Sequence, residues 1–451
     1  MATTGTANGG LILTKSAPLR LLTLLLFYFT QGFPVGLFFY AVPSWMAANG
    51  ESTGAVAAVV GAAALPWTLK LVNGFIIDRY SFLPMGRRRS WIIGAQAMIV
   101  LVFLAGAVLS PQHSNVFLLS AFGFSANMAV TFQDVGIDSL AVDIMAESER
   151  AKASGIMFGA QTLGIAAATA MGGALLETYG FAVCMAVAAI VPASVMLYGM
   201  AIREREGERR LPWSAGTSHP RNLEIHVAAW LPLLKNASRA ILAPISLALL
   251  PILLINSISA GAHGAFHPGL ATTTSGWSLS DYTDVISTSQ LIVGLLSLVV
   301  GGWAVDAVGA QRSAIVVLLI QVAMALAMAL AQLYWTNDSV LMAYFFGGEF
   351  ISTFTCITLV PIAMRLCSPA VAATQFTIYM AMANFGRPLG ASLAAATAGV
   401  GSPVLMYGLI AAIYSAAVIW LLIVRFPGDD RAFQDTADVL PSGEGLAPAH
   451  D

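Results

Sequence analysis

Long apolar segments alternate with short polar breaks from residue 20 to residue 425. Each segment holds about 20 residues or more, and about 20 helical residues at 1.5 Å per residue cross the ~30 Å hydrocarbon core of a bilayer. The pattern predicts an all-α membrane protein with twelve transmembrane helices in two six-helix bundles. The predicted spans are residues 20–46, 54–77, 91–110, 116–144, 153–175, 181–202, 240–265, 283–305, 312–333, 339–364, 372–397 and 404–425.

Composition agrees with this pattern. Of 451 residues 58% are hydrophobic and only 10% are charged, and the mean hydropathy is +0.79. A soluble fold of this length cannot bury so much apolar surface. Cys184, Cys356 and Cys367 show neither disulfide nor zinc spacing, so we expect no metal and no cofactor.

The basic residues give an orientation. All but two of the 21 lysines and arginines fall on one side of this topology, whereas the loops on the other side carry acids such as Glu51 and Glu177. By the positive-inside rule we expect both termini and the long central loop to be cytosolic. The two exceptions, Lys70 and Arg387, lie inside predicted spans.

Residues 203–239 divide the chain into an N-terminal bundle, 1–202, and a C-terminal bundle, 240–425. We interpret this charged segment as a cytosolic linker. Its second part, from Asn222 to Ser238, has apolar residues near helical spacing, which predicts a short amphipathic helix on the inner membrane surface. The tail, 426–451, is rich in Asp, Pro, Gly and Ala and is typical of disorder.

One loop occurs twice. Gly74-Phe75-Ile76-Ile77-Asp78 with Gly86-Arg87-Arg88-Arg89 is repeated in shortened form as Gly302-Trp303-Ala304-Val305-Asp306 with Gly309 and Arg312. Two copies of one loop indicate an internally duplicated, two-bundle transporter. The loop resembles the signature of the major facilitator superfamily, which implies close helix contact at the glycines and an inward gate at the aspartates. The alternative is that the arginines anchor the loop to lipid headgroups. The candidate gating residues are Gly74, Asp78, Arg79, Arg87, Asp143, Asp306 and Arg312.

A narrower resemblance covers nearly the whole chain. The segments 65–70, 78–91, 133–138 and 386–387 resemble those of AmpG-like muropeptide permeases. This implies an anhydromuropeptide cargo and a Gram-negative inner membrane. One departure is Gln161-Thr162-Leu163-Gly164, where that family usually has an arginine before Leu-Gly. The Gln-Thr pair is similar to the acetyl-CoA branch of the wider group, so acetyl-CoA, a siderophore or another organic anion remains an alternative cargo.

Charged residues inside spans are costly and need partners or water. Asp134 and Asp138 are four residues apart and share one helix face, where mutual repulsion favours a proton on one of them. They either couple transport to protons or contact the cargo, or they pair with Lys70 or Arg387 to hold the bundle together. Glu349 is the third candidate proton carrier, and the superfamily resemblance implies that it faces Asp134 across a central cavity. Alternatively, Glu349 contacts the cargo or is a neutral hydrogen-bonding acid.

Several polar residues in the spans are candidate cargo ligands. Pro34 interrupts the first span and frees backbone groups beside Gln31. His263 and His267 lack the pattern of a metal pair and are either ordinary helix-end histidines or a pH-sensing vestibule. The candidate cargo-binding residues are Gln31, Lys70, Gln133, Asn256 and Arg387.

Other function classes fit the sequence less well. It contains no Gly-x-Ser-x-Gly elbow and no P-loop, and Asp134 and Asp138 lie on one helix, whereas an aspartic dyad needs two chain segments. A membrane sensor would not require deep charges in both halves. The expectation is a proton-coupled symporter, not an enzyme, that imports its small-molecule cargo by alternating access. Its partners are cargo, protons and lipid, without nucleic acid, and we expect a monomer.

Overall fold

A computed structural model describes residues 11–144, 147–224, 235, 238–239, 241–296, 308–366 and 372–426. Within these ranges the chain is built almost entirely from helices. The helices of the first half and the linker are α1 (Ala17–Gly36), α2 (Val42–Ala48), α3 (Thr53–Arg79), α4 (Arg89–Leu109), α5 (Val116–Ile144), α6 (Glu147–Ala188), α7 (Ile190–Ala201) and α8 (Pro220–Glu224). Those of the second half are α9 (Pro244–Asn256), α10 (Ile258–Gly269), α11 (Leu279–Leu296), α12 (Ala310–Leu330), α13 (Asp338–Arg365), α14 (Ala372–Gly399) and α15 (Pro403–Ile423).

The all-α membrane fold is confirmed. Within the described ranges, nine helices are long and apolar enough to cross a membrane. One of them, 156–201, has 46 residues, which is about 69 Å and about two bilayer crossings. It contains Gly180, whose φ of 77° breaks the helix, so it matches the fifth and sixth predicted spans. The eighth and eleventh predicted spans correspond to α11 and α14, and the pattern agrees with twelve spans.

The first membrane span of each half contains a π-helical turn, in the half of the span farthest from the basic loops. Leu37–Ala41 joins α1 to α2, and Leu270–Thr274 follows α10. Each turn begins two or three residues after a proline inside the helix, Pro34 or Pro268. Proline removes one helical hydrogen bond, and π turns occur where the ladder is disrupted. The sequence predicted the break at Pro34 but not its repetition in the second half.

Glycines bring the helices into backbone contact at equivalent places in the two halves. A Cβ atom on Gly164 of α6 would lie 2.0 Å from the carbonyl oxygen of Phe29 in α1. A Cβ atom on Gly390 of α14 would lie 1.9 Å from the carbonyl oxygen of Ile258 in α10. Only glycine fits these contacts, as in other close membrane helix pairs. By contrast, a Cβ atom on Gly74 would meet Val135 at an ordinary 3.9 Å, so Gly74 makes no comparably tight contact with the described residues.

The two halves contact each other through α3 with α14 and α6 with α11. We call the end of the bundle near Arg87–Arg89 the basic end. At the opposite end, the Thr273 hydroxyl donates a hydrogen bond to the Ala47 carbonyl at 3.2 Å. The backbone N–H of Ser280 donates to Glu177 at 3.0 Å. The halves are therefore closed against each other at the end opposite the basic end.

The predicted linker helix is described only at its start. Helix α8 covers Pro220–Glu224, and residues 225–234 lie outside the described part of the chain. Residues 203–219 instead lie against the basic end, where Ile12 forms a parallel bridge with Arg203. The tail from residue 427 also lies outside the described part.

Candidate functional site

The first candidate site is an acid–base cluster between α1, α3 and α5. Lys70 Nζ forms an ion pair with Asp134 and lies 3.7 Å from Asp138 Oδ2. The Tyr28 hydroxyl donates a hydrogen bond to Asp138. The four-residue spacing places both carboxylates on the face of α5 that packs against α3, which explains why one lysine reaches both.

The two carboxylates differ in their access to solvent. The Asp134 side chain is 5% exposed, whereas that of Asp138 is 41% exposed. One lysine balances one carboxylate, so the cluster has one negative charge too many when both acids are ionised. A proton on Asp138 would remove this excess without unpairing Lys70 from Asp134. The arrangement is suited to holding one exchangeable proton at Asp138.

The second candidate site is a cavity of about 70 Å³ that is lined mainly by the second half, together with Tyr40 of the first half. Glu349 of α13 and Arg387 of α14 both line it. The Arg387 guanidinium lies over the ring of Phe39, 4.4 Å from its centroid. The other lining residues are Tyr40, Ala260, His263, Gly264, His267, Tyr282, Ile286, Tyr344, Phe345, Gly348 and Ser352.

The two histidines form one wall of this cavity. Their rings stack with centroids 4.1 Å apart. His263 contacts the Ser259 hydroxyl at 3.3 Å and the Tyr344 hydroxyl at 3.2 Å. His267 is 6% exposed, and its Nε2 atom has no hydrogen-bond partner among the described residues. A buried polar atom without a partner is costly, and His267 is one of the residues that line the cavity.

The amide candidates are placed differently. Gln31 is buried and accepts a hydrogen bond from Gln161 Nε2 at 2.9 Å. Its own Nε2 has no partner among the described residues, and the side chain is fully buried. Gln133 Nε2 donates to the Phe27 carbonyl at 2.8 Å, which ties α5 to α1. The Asn256 side chain lies outside the described part of the structure.

At the basic end, Asp143 is paired with the arginines of the loop between α3 and α4. Arg87 Nη1 lies 3.2 Å from Asp143 Oδ2, and Arg88 Nε lies 3.6 Å from the same atom. Arg312 is exposed in the first turn of α12. The side chains of Asp78 and Arg79 lie outside the described part, as does the whole of residues 297–307 with Asp306.

The same loop is held by a residue that the sequence did not reveal. The Glu204 carboxylate accepts hydrogen bonds from the backbone N–H groups of Arg87, Arg88 and Arg89 at 2.8, 2.8 and 2.6 Å. These are unsatisfied donors at the start of α4, and an acid is favourable there. A Cβ atom on Gly86 would lie 2.4 Å from the Glu204 carboxyl carbon. Glycine therefore makes room for this clamp.

Arg89 reinforces the contact from the other side. It is only 1% exposed and donates to the carbonyls of Gly199 at 3.1 Å, Met85 at 3.0 Å and Arg209 at 2.8 Å. Anchoring to lipid headgroups is therefore wrong for Arg89. No signal in the sequence separates Glu204 from the other acids of the linker, Glu206 and Glu208.

Burial shifts the ionisation of the linker acids. It raises the pKa of Glu204, although the three amide hydrogen bonds act in the opposite direction. Burial, together with the neighbouring Glu204 charge, raises the pKa of Glu208 to about 7. Glu208 accepts hydrogen bonds from Asn222 at 2.7 Å and from the Arg205 N–H at 2.9 Å. The linker contact therefore contains two acids that bind a proton more readily than an exposed glutamate does.

Comparison with known protein families assigns this chain to a family. The family model described as Major Facilitator Superfamily matches residues 24–391. The chain belongs to the major facilitator superfamily. A crystal structure of a D-xylose–proton symporter superposes with a TM-score of 0.68 over 92% of this chain and 99% of that one, at 14% identity. That similarity shows the superfamily fold alone.

Curated relatives match shorter stretches. A folate-biopterin transporter of Synechocystis is 31% identical over 188 residues, which is 40% of this chain and 37% of that protein. An uncharacterized protein of Haemophilus influenzae is 29% identical over 126 residues, 27% of this chain and 28% of that protein. This superfamily member thus spans well under half the length of these relatives. Its narrower resemblance to AmpG-like permeases stays a prediction.

Proposed function

We propose that the protein is a proton-coupled secondary transporter that imports an organic anion by alternating access. The main support is that acids and bases lie together inside membrane helices, Lys70 with Asp134 and Asp138 in one half, and Arg387 and Glu349 around one cavity in the other. Buried charges inside membrane helices are expensive, and they are typical of ion and substrate pathways.

In this proposal the basic end faces the cytosol of a bacterial inner membrane, in line with the positive-inside rule. The contacts of Thr273 with Ala47 and of Ser280 with Glu177 then close the outer end. Alternating access requires these contacts to break while the basic end closes. Asp143 with Arg87, together with Asp78 and Asp306, would form the inner gate.

The cargo proposed first is an anhydromuropeptide-like cell-wall fragment, supported by the motifs at residues 65–70, 78–91, 133–138 and 386–387. A folate- or biopterin-like anion is a second candidate. It is supported by the Synechocystis relative and by the aromatic walls of the cavity, where Tyr40, Tyr282 and Phe345 suit a planar ring.

Uptake into proteoliposomes tests the proposal. Labelled anhydromuropeptide and labelled folic acid are offered separately, with and without an inward proton gradient, and acetyl-CoA and a ferric siderophore serve as competitors. We expect gradient-dependent accumulation of one labelled anion. Accumulation that does not depend on the gradient would contradict proton coupling. Inhibition of uptake by acetyl-CoA alone, or by the siderophore alone, would indicate that the cargo belongs to the class of that competitor.

Glu349→Gln separates coupling from binding. A glutamine keeps the shape and a hydrogen-bonding side chain but cannot carry a proton. We expect loss of gradient-driven accumulation with retention of counterflow exchange, in which labelled cargo enters against unlabelled cargo. Wild-type accumulation by this variant would make Glu349 a structural residue.

A further inference from the structure

At the end of the bundle opposite the basic end, an acid of the first half reaches the second half. Glu177 lies on α6, three residues before Gly180, whose φ of 77° breaks the helix. Its Oε2 atom accepts a hydrogen bond from the backbone N–H of Ser280 at 3.0 Å, and Ser280 is the second residue of α11. The contact therefore joins the carboxyl end of one membrane helix to the amino end of another, across the boundary between the halves.

The start of α11 is capped partly by its own residues and partly by Glu177. Ser278 and Asp281 form a capping box, in which the Asp281 N–H donates to Ser278 Oγ at 3.0 Å and the Ser278 N–H donates to Asp281 Oδ2 at 3.2 Å. The N–H groups of the first helical turn have no acceptor within their own helix. The Ser280 N–H finds its acceptor in Glu177. A residue of the opposite half thus completes the cap of α11.

The electrostatics of the two helix ends favour a carboxylate here only while the halves are together. A negative charge is unfavourable near the carboxyl end of a helix and favourable near the amino end. Glu177 lies near the carboxyl end of its own helical segment and at the amino end of α11. Residues 153–202 and 240–311 contain no lysine or arginine, so no cation of these segments competes for the carboxylate. Separation of the halves would leave Glu177 only with the unfavourable end of its own helix.

A steric contact one helical turn deeper sets the distance between the two helices. Gly173 precedes Glu177 by four residues and Thr283 follows Ser280 by three, and these spacings keep each pair on one helix face. A Cβ atom on Gly173 would lie 2.7 Å from the Thr283 Cβ atom. The Thr283 hydroxyl is held by its hydrogen bond to the Leu279 carbonyl at 3.0 Å. An alanine at position 173 would therefore force the helices apart and separate Glu177 from Ser280.

We propose that Glu177 is the latch of the outer gate, and that its cap on α11 stabilises the state in which the transporter is closed to the outside. The inference rests on the proposed function, in which this end faces the outside and opens to admit cargo. Opening breaks the contact between Glu177 and Ser280, so the latch sets the equilibrium between the two states without touching cargo. A contact of a charge with an exposed helix end shifts such an equilibrium by about two- to fivefold.

Cysteine labelling measures how often this end opens. The full chain in nanodiscs, with its three native cysteines replaced by alanine, carries Ala47→Cys as the reporter. Ala47 is 2% exposed, and its carbonyl accepts the hydrogen bond from Thr273 of the other half. The rate of reaction with a polar maleimide is compared with that of the unfolded chain. We expect this rate to rise about two- to fivefold in Glu177→Gln, and further in Glu177→Lys, which places a positive charge at a helix amino end.

Salt and two further variants separate the effect of charge from that of shape. Salt screens exposed charges, so about 1 M salt should raise the labelling rate of the reporter chain, lower that of Glu177→Lys and leave that of Glu177→Gln unchanged. Asp284→Asn is the matched control, because it removes a negative charge from the same end of α11 and the described hydrogen bond of Asp284 lies within that helix. It should label like the reporter chain. Gly173→Ala should raise the rate at every salt concentration.

Three outcomes would overturn the inference. These are equal labelling of the reporter chain, Glu177→Gln and Glu177→Lys, labelling rates that do not respond to salt, or no labelling of any variant, which would mean that this end does not open. Gradient-driven uptake by wild-type proteoliposomes is measured in parallel. Uptake together with labelling that does not depend on Glu177 rejects the latch and leaves the proposed function standing. Labelling that follows the charge at position 177, without uptake of any offered cargo, rejects the proposed cargoes and leaves the latch.

Discussion

At the scale of single residues, Lys70 is the basic partner of Asp134 and Asp138. The sequence did not decide between Lys70 and Arg387 for this role. The four-residue spacing predicted that Asp134 and Asp138 share a face, and the structure places that face against α3, where Lys70 reaches both. Spacing within a helix can be read from sequence because helix geometry is fixed. Whether Lys70 or Arg387 pairs with these acids could not be predicted from the sequence, because the pairing depends on which helices pack together.

Charge balance in this cluster predicts a rescue. Lys70→Met leaves Asp134 buried without a counter-charge, which costs about 3–5 kcal/mol for a broken buried pair, so we expect a lower melting temperature in detergent. Lys70→Met combined with Asp134→Asn removes both charges and should recover most of the loss. If the double variant melts as low as the single one, the ion pair is not what stabilises this region.

Glu204 is a residue whose role depends on long-range contact. It lies 117 residues from Arg87 in sequence, and nothing in a charged linker distinguishes a clamping acid from a solvated one. Glu204→Gln keeps one acceptor oxygen, whereas Glu204→Ala keeps none. We expect a modest loss of stability for the first and a larger loss for the second, measured by thermal unfolding. Equal stability of Glu204→Ala and wild type would contradict the clamp.

The linker acids also predict a pH dependence. The pKa of Glu208 rises from 4.5 to about 7 in the folded chain, so its protonated form favours folding. Its contribution is complete below pH 4.5 and is lost as pH rises from 4.5 through about 7. We expect the difference in melting temperature between wild type and Glu208→Gln to change across this window. A difference that stays constant from pH 4.5 to pH 8 would contradict the burial of this carboxyl.

At the scale of helices, the apolar pattern predicted the spans well because each span must hide its backbone from lipid. It did not predict which glycines make close contacts. Gly74 was expected to do so from the repeated loop, whereas Gly164 and Gly390 actually approach backbone atoms. The sequence does not show whether a helical glycine faces lipid or another helix. Only the packing of the helices distinguishes the two kinds of glycine.

The close helix contacts predict that a glycine-to-alanine substitution lowers stability only at the contact positions. Gly164→Ala and Gly390→Ala each place a Cβ atom within about 2 Å of a carbonyl oxygen, which forces the helices apart at a cost of about 1–3 kcal/mol. Gly408→Ala is the matched control, because its Cβ atom would meet nothing within 4 Å. We expect lower melting temperatures for the first two variants only. Similar values for all three would contradict the close contacts.

At the scale of the whole molecule, the duplication read from one repeated loop is matched by repeated structure. The paired π turns and the paired glycine contacts lie at corresponding positions of the two halves. Sequence alone could not show which end of the bundle is closed, because both conformations of a transporter share one sequence. The structure has the end opposite the basic end closed.

Closure at that end predicts that a cross-link there stops transport. A Cβ atom on Gly173 would lie 2.7 Å from the Thr283 Cβ atom, so a small shift brings two cysteines to disulfide distance. In a background without the three native cysteines, oxidation of Gly173→Cys with Thr283→Cys should abolish uptake, and reduction should restore it. Each single cysteine serves as control. Full uptake by the oxidised double variant would show that this end does not need to open.

The most direct test of the whole account is whether cargo carries protons with it. Proteoliposomes loaded with a pH-sensitive dye receive labelled anhydromuropeptide or folic acid outside, with no imposed gradient, and protein-free liposomes are the blank. We predict that cargo entry acidifies the lumen in wild-type vesicles and that Glu349→Gln abolishes the acidification while exchange continues. Cargo entry without acidification in the wild type would contradict proton coupling and leave a passive carrier.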